Sequence, residues 1–194
     1  IQYFIVAQDD ANNLSSLPTG AGAAASPPIQ NINLKATTVY SFTIRAYMSG
    51  TYTVPGSYAS LTKASGLFQA LANAVLQGDV VVSVSGDVLD ENGTYVLPAL
   101  AEDAPVPRFT LTIQPADASE KLIAGAILNG IRFSGTQRMI IDGSHGGGGR
   151  YLRFRNTSTS SPVFQFVSDA SGNVIRNCII EASQNSYGAV YFNT

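Results

Sequence analysis

The chain has 194 residues, 45% of them apolar, and a net charge of -2, so it holds material for one good core or for one core and part of a neighbour. The composition argues against disorder, no run approaches the ~18 to 20 apolar residues of a membrane-spanning helix, and no basic footprint marks a nucleic-acid partner. Charged residues amount to 12%, about half the usual ~25%, so Ser, Thr, Asn, Gln and Gly must cover a surface of the kind found on turn-rich extracellular β proteins.

In chain order, Tyr3 to Gln8 alternates as a strand and Asp9 to Asn13 has turn chemistry, so residues 1–14 read as the last strand of a truncated β-sandwich module. Residues 15–38 are rich in Ser, Pro, Gly and Ala without apolar periodicity, which predicts a linker stiffened at Pro27-Pro28. Val39 to Tyr47 and Gly50 to Val54 return to strand, with Tyr40, Phe42, Ile44 and Ala46 on one face of the first. A helix follows, because Leu61, Ala64, Phe68, Leu71, Ala72, Val75 and Leu76 recur at steps of three and four, behind a capping Ser60 and ahead of a stopping Gly78. Residues 39–78 therefore form strands leading into an amphipathic capping helix. The chain begins in an apolar strand without Met and closes on Ala189 to Phe192, which reads as a piece of a longer polypeptide and leaves a missing leader uninformative about compartment.

From residue 79 to 194 strand-sized segments succeed one another: Val80 to Ser85, Tyr95 to Leu97, Phe109 to Gln114, Ala126 to Phe133, Met139 to Asp142, Tyr151 to Arg155, Val163 to Val167, Val174 to Ile180 and Ala189 to Phe192. Three segments begin at a fixed interval, Ile131, Leu152 and Asn173 being 21 residues apart (152 minus 131, 173 minus 152). That spacing predicts Phe133, Phe154 and Ile175 as one inward column, with Gly135, Asn156 and Asn177 at corners. Short units joined by Gly, Asn and Ser at a period near twenty are the mark of a solenoid. The expected fold is all-β, a right-handed parallel β-helix (β-solenoid) with an N-terminal amphipathic capping helix. The helix would cover the first turn's unpaired edges.

Gly50 to Val54 followed by Tyr58 to Thr62, Gly66-Leu67-Phe68 with Gly78-Asp79-Val80, and the segments Thr110 to Pro115, Ile141-Asp142-Gly143, Leu152 to Ser158 and Ile175 to Glu181 together resemble a family of large secreted or surface proteins of Bacteroidetes with right-handed parallel β-helix repeats. Tyr3 to Asp9 is similar to the closing strand of the Ig-like or fibronectin-like modules that precede such repeats. The resemblance implies a secreted or cell-surface location and export by the type IX secretion system. One such scaffold hosts adhesins, lyases and hydrolases alike, so it implies no single activity.

Asn156 and Asn177 are expected as an asparagine ladder bonding to each other and to turn backbone. Arg153, Arg155 and Arg176, with Arg132 beside them, are expected as an outward basic stripe; it suits anionic sugars unless carboxylates intervene. Asp142 and His145, beside the glycine run Gly146 to Gly149, are the most enzyme-like pair, although Asp142 before Gly143 is also plain turn chemistry. That glycine run precedes neither a helix nor a Lys-Ser/Thr, so it reads as a loop and not a phosphate cradle. Cys178, the only cysteine, permits no internal disulfide and reads as a small hydrophobe. Asp90, Glu91 and Asn92, or Asp117 with Glu120, lack the spacing of a calcium loop, so neither a metal nor a cofactor is expected.

The expected function is that of a non-enzymatic surface or extracellular module, an adhesive stalk or glycan-binding surface whose partner is a polysaccharide or cell-surface glycan. A carbohydrate-active β-helix enzyme with its catalytic turns beyond Thr194 is the alternative. A segment held by another protein chain, such as secretion machinery, is a third.

Overall fold

The structure is a computed structural model that describes residues 44–183 and 187–193 in full and the backbone of strands at 2–3, 5–8, 14–17 and 40–41. It divides into two units, Ile1–Arg45 and Ala46–Thr194. In the first, β1 (Gln2–Tyr3) pairs antiparallel with β4 (Tyr40–Ser41), and β2 (Ile5–Gln8) pairs antiparallel with β3 (Leu14–Leu17). Strand therefore extends into the stretch read as linker at Ser15, because Leu14 and Leu17 find partners in Gln8 and Ile5. The rest of that linker, 18–38, and the turn at 9–13 lie outside the described residues.

The second unit is all-β and forms a parallel β-solenoid of about five turns. Its elements are β5 (Ala46–Val54), α1 (Leu67–Ala72), β6 (Ala74–Val84), β7 (Leu97–Pro98), β8 (Ala101–Glu102), β9 (Leu111–Pro115), β10 (Lys121–Gly125), β11 (Ile131–Ser134), β12 (Met139–Asp142), β13 (Leu152–Asn156), β14 (Phe164–Val167), β15 (Val174–Arg176), β16 (Cys178–Ala182) and β17 (Val190–Asn193). They build three faces: β5-β6-β9-β12-β15 is the first, β10-β13-β16 the second and β7-β11-β14-β17 the third. Every pairing between these strands is parallel. A full turn takes one strand from each face in order. Period-two alternation sets what goes inside: in β9, Leu111, Ile113 and Pro115 are buried while Thr112 and Gln114 are half-exposed. Inward rings meet at the axis, where Phe164 lies 6.0 Å from Phe133 and 4.9 Å from Phe154, centroid to centroid.

The three residues expected in one column point inward but sit on three different faces: Phe133 on β11, Phe154 on β13 and Ile175 on β15. Their true register partners are Phe166 for Phe133, Ile123 and Ile180 for Phe154, and Ile141 for Ile175. A step of 21 residues covers two of the three faces, so it carries the chain to a neighbouring column instead of one turn up the same one. A whole turn is longer and uneven, 33 residues from Phe133 to Phe166 (166 minus 133) and 26 from Phe154 to Ile180 (180 minus 154). Coiling survives this correction because each face still repeats once per turn.

Three boundaries also differ. The long helix over Ser60 to Leu76 is replaced by the six-residue α1. The Ser60 hydroxyl accepts from the Thr62 and Lys63 amides at 3.1 and 3.0 Å and so builds a turn, and Ser65 is left-handed at φ 58. Beyond α1, Val75 and Leu76 pair with Tyr47 and Met48 on one side and with Ala101 and Glu102 on the other. Two ladders outweigh helical periodicity there, and Gly78 lies inside β6. β10 occupies a stretch that falls between the segments read as strand; its inward Lys121 and Ile123 are buried, as is Ala124, which is in register with the outward Arg155. The strand read over Val174 to Ile180 breaks at Asn177, left-handed at φ 53, which turns the chain from the first face to the second.

Candidate functional site

On the second face, alternation puts Leu152, Phe154 and Asn156 inside and Arg153 and Arg155 outside. The Arg153 guanidinium donates through Nε and Nη2 to both carboxylate oxygens of Glu120, each at 2.9 Å, and also reaches Glu181. Glu181 accepts from Arg155 Nε at 2.7 Å. The bond from Arg153 lowers the Glu120 carboxyl below its ordinary range, and that from Arg155 does the same for Glu181. This network links the residue preceding β10 to β13 and β16, so the intervening carboxylates are supplied by the chain itself. Arg176 lies on β15, on the first face. The three arginines do not form one stripe.

Arg176 instead closes a corner around Asp142, the last residue of β12. One Asp142 oxygen accepts from the Ser144 amide at 3.0 Å, the Ser144 hydroxyl at 2.8 Å and Asn177 Nδ2 at 3.0 Å; the other accepts from Arg176 at 2.8 Å. Burial raises the Asp142 carboxyl, but the bonds from Asn177, Ser144 and Arg176 outweigh it and hold the group at about 2. A carboxylate so stabilised is a poor proton acceptor. His145 is exposed, and its backbone exchanges bonds of 3.0 and 3.3 Å with Gly148 to close the glycine loop. None of the Asp142 bonds involves His145, so the enzyme-like pair is not assembled. Asp169 is an exposed left-handed turn residue at φ 60.

Asn156 and Asn177 do sit at corners, but they do not form a ladder with each other: Asn156 is in register with Gly125 and Ala182. Asn156 is wholly buried. Its amide donates to Ile127 O at 2.9 Å and Pro162 O at 2.7 Å, and its oxygen accepts from the Ile127 and Ser158 amides at 2.9 and 3.0 Å. It is a backbone-satisfying corner residue, as its turn chemistry suggests.

A buried carboxyl group held by four donors is one the sequence did not single out as structural. Glu91, 1% exposed, accepts from Ser60 Oγ at 2.8 Å, the Leu61 amide at 2.7 Å, the Thr62 amide at 2.9 Å and the Thr62 hydroxyl. Only its long-range partners reveal this role, and sequence spacing does not carry them. Among the described residues no three His, Cys, Asp or Glu side chains converge as a metal site. Burial pushes the Cys178 thiol up to about 12, and its Sγ donates to Arg176 O at 3.1 Å. A thiol so placed stays protonated and inert.

The third face carries Arg132, expected beside the basic stripe, together with Gln165 and Tyr191, which the sequence reading did not single out. Arg132, Gln165 and Tyr191 are register partners on successive strands β11, β14 and β17 and all point outward. Arg132 makes no ion pair among the described residues, and its Nε, like Gln165 Oε1, is buried without a hydrogen-bond partner. Gln165 and Tyr191, with Tyr187, Asn129 and Asn193 among others, line a pocket of about 210 Å³; Arg132, on the strand next to Gln165, stands outside that lining. The Tyr187 and Tyr191 rings meet edge to face at 5.0 Å. The available signal was alternation: Phe164-Gln165-Phe166 and Val190-Tyr191-Phe192 each set one polar or amphipathic side chain outward between two inward apolar ones. Comparison of the chain with protein-family models, with curated proteins and with solved structures returns no match.

Proposed function

We propose that the chain is a non-enzymatic structural and adhesive module of an extracellular or cell-surface protein, whose solenoid displays side faces to polysaccharide. The observation that carries this reading is the Glu120-Arg153-Glu181-Arg155 network. Outward charges on the second face are used to tie one turn to the next, which favours a stiff, regular scaffold over a reactive cleft. Asp142 is committed in the same way to Arg176 on the following turn. A charged share of 12% suits an extracellular surface, and the resemblance to Bacteroidetes β-helix proteins points in the same direction.

The test is to incubate the purified chain with a panel of soluble and immobilised polysaccharides, scoring both co-sedimentation and new reducing ends. Retention by at least one polymer without product release is expected. Release of oligosaccharides, or retention by none, overturns the proposal.

A further inference from the structure

We propose that the third face carries a site for one acidic sugar ring of a polysaccharide, held at Tyr191 and Gln165 with Arg132 supplying the charge. This rests on the adhesive reading above and names the ligand class and the place.

The chemistry follows from what the face leaves unmatched. Gln165 Oε1 is an acceptor without a donor, and Arg132 Nε, on the adjacent strand in the same register position, is a donor without an acceptor. A sugar hydroxyl can donate to the Gln165 oxygen, which an apolar ligand cannot do. Both atoms lie beneath their neighbours. The terminal amide torsion of glutamine is soft, so a rotation at Gln165 turns that group toward the adjoining pocket. There the Tyr191 ring offers an apolar surface with a polar tip, and Asn129 and Asn193 add exposed amides.

Charge and size narrow the ligand. Among the described residues the lining contains no Asp or Glu, and the Arg132 guanidinium in the next strand makes none of the ion pairs that occupy Arg153, Arg155 and Arg176. A guanidinium without an ion pair on the strand next to Gln165 puts positive charge near the pocket and favours a carboxylate-bearing sugar over a neutral one. The volume of about 210 Å³ falls below the ~300 to 1,000 Å³ of sites for drug-sized molecules, which suits one ring and not several.

The experiment uses the whole chain and short uronate oligomers from polygalacturonate, alginate and hyaluronan, with methyl-esterified galacturonate oligomers as the uncharged counterpart, by calorimetric titration. At least one acidic oligomer should bind, more weakly as salt rises. Gln165→Ala and Tyr191→Ala should each weaken it about tenfold or more, as expected for truncating a principal contact. Arg132→Gln should erase the preference for free acid over methyl ester. Arg176→Gln, at the first-face corner, should leave binding unchanged. Asn193→Ala, at an exposed position, serves as a second pocket variant should Tyr191→Ala alter the circular dichroism spectrum. Binding indifferent to the third-face variants, or equal for acid and ester, overturns this inference and leaves the adhesive proposal standing. Retention of no polymer in the co-sedimentation panel overturns both.

Discussion

The ring of Phe133 lies 4.9 Å, centroid to centroid, from that of Phe166, its register partner one turn further along the chain. Phe133 is fully buried and also touches Phe68 of α1 at 6.2 Å. Phe133→Ala should therefore cost about 3 to 5 kcal/mol of stability, the range for emptying a large aromatic site in a close-packed core. Phe192 stacks on Phe166 at the same 4.9 Å but is 69% exposed. Phe192→Ala should cost under about 1.5 kcal/mol, the upper value of an aromatic pair. Urea unfolding of both variants checks the contrast, and equal losses would contradict the assignment of Phe133 to the axis.

How much of this was legible follows from which forces act locally. Alternation is a two-residue property, so Phe133, Phe154 and Ile175 were read as inward and are inward. Which column each joins depends on turn length. That is set by loops such as 143–151 and 157–163, whose lengths differ from one turn to the next and carry no periodic signal. The 21-residue spacing was real but spanned two faces. The helix is shorter than its periodicity suggests because Val75 and Leu76 fit a 3.6 period as well as a strand, and only their pairing with β5 and β8 decides between the two. For the site, the arginines were legible as outward while their partners Glu120 and Glu181, 33 and 26 residues away, were not.

Glu91 is expected to be a keystone of the segment at 60–63. Glu91→Ala removes the acceptor of four donors on Ser60, Leu61 and Thr62; buried donors left unmatched cost ~1 to 3 kcal/mol each before water or relaxation replaces them. A net loss of about 3 kcal/mol or more is expected. Glu91→Gln keeps one acceptor and turns an amide toward a donor, so its loss should fall between wild type and Glu91→Ala. Hydrogen exchange supplies an independent readout: the Leu61 and Thr62 amides should lose protection first. Unchanged protection there would show that the segment holds without the carboxylate.

Corner stacking makes a steric prediction. A Cβ built on Gly143 would lie 1.9 Å from the Asn177 carbonyl oxygen on the next turn, whereas one on Gly148 meets nothing within 4 Å. Neither glycine has a left-handed φ, so the contrast tests space alone. Gly143→Ala should cost about 1 to 3 kcal/mol or more through forced displacement of the turn above, and Gly148→Ala should be near neutral. Denaturation midpoints of the two variants compare them directly.

Asp142 sets the acid limb of stability at its corner. Its folded value of about 2 lies below the ordinary 3.8 of an aspartate, so the folded state binds the proton more weakly than the unfolded state does. The associated stabilisation is fully present above the unfolded value and is lost as pH falls through the folded one. Lowering the carboxyl from 3.8 to about 2 corresponds to about 2 kcal/mol, and the side chain is 15% exposed, which limits solvent screening. Asp142→Asn should therefore be less stable than the parent by about 2 kcal/mol more at pH 7 than at pH 2. Asp117, Glu102, Glu120 and Glu181 also titrate low, but they are present in both proteins and largely cancel in the difference. Urea unfolding of the pair across pH 2 to 7 measures it directly. The gap should close between about pH 4 and 2, because that is the interval in which the unfolded chain is protonated while Arg176, Asn177 and Ser144 still hold the folded carboxylate ionised. A gap independent of pH would mean that the corner is held by the shape of the turn and not by the charge of Asp142.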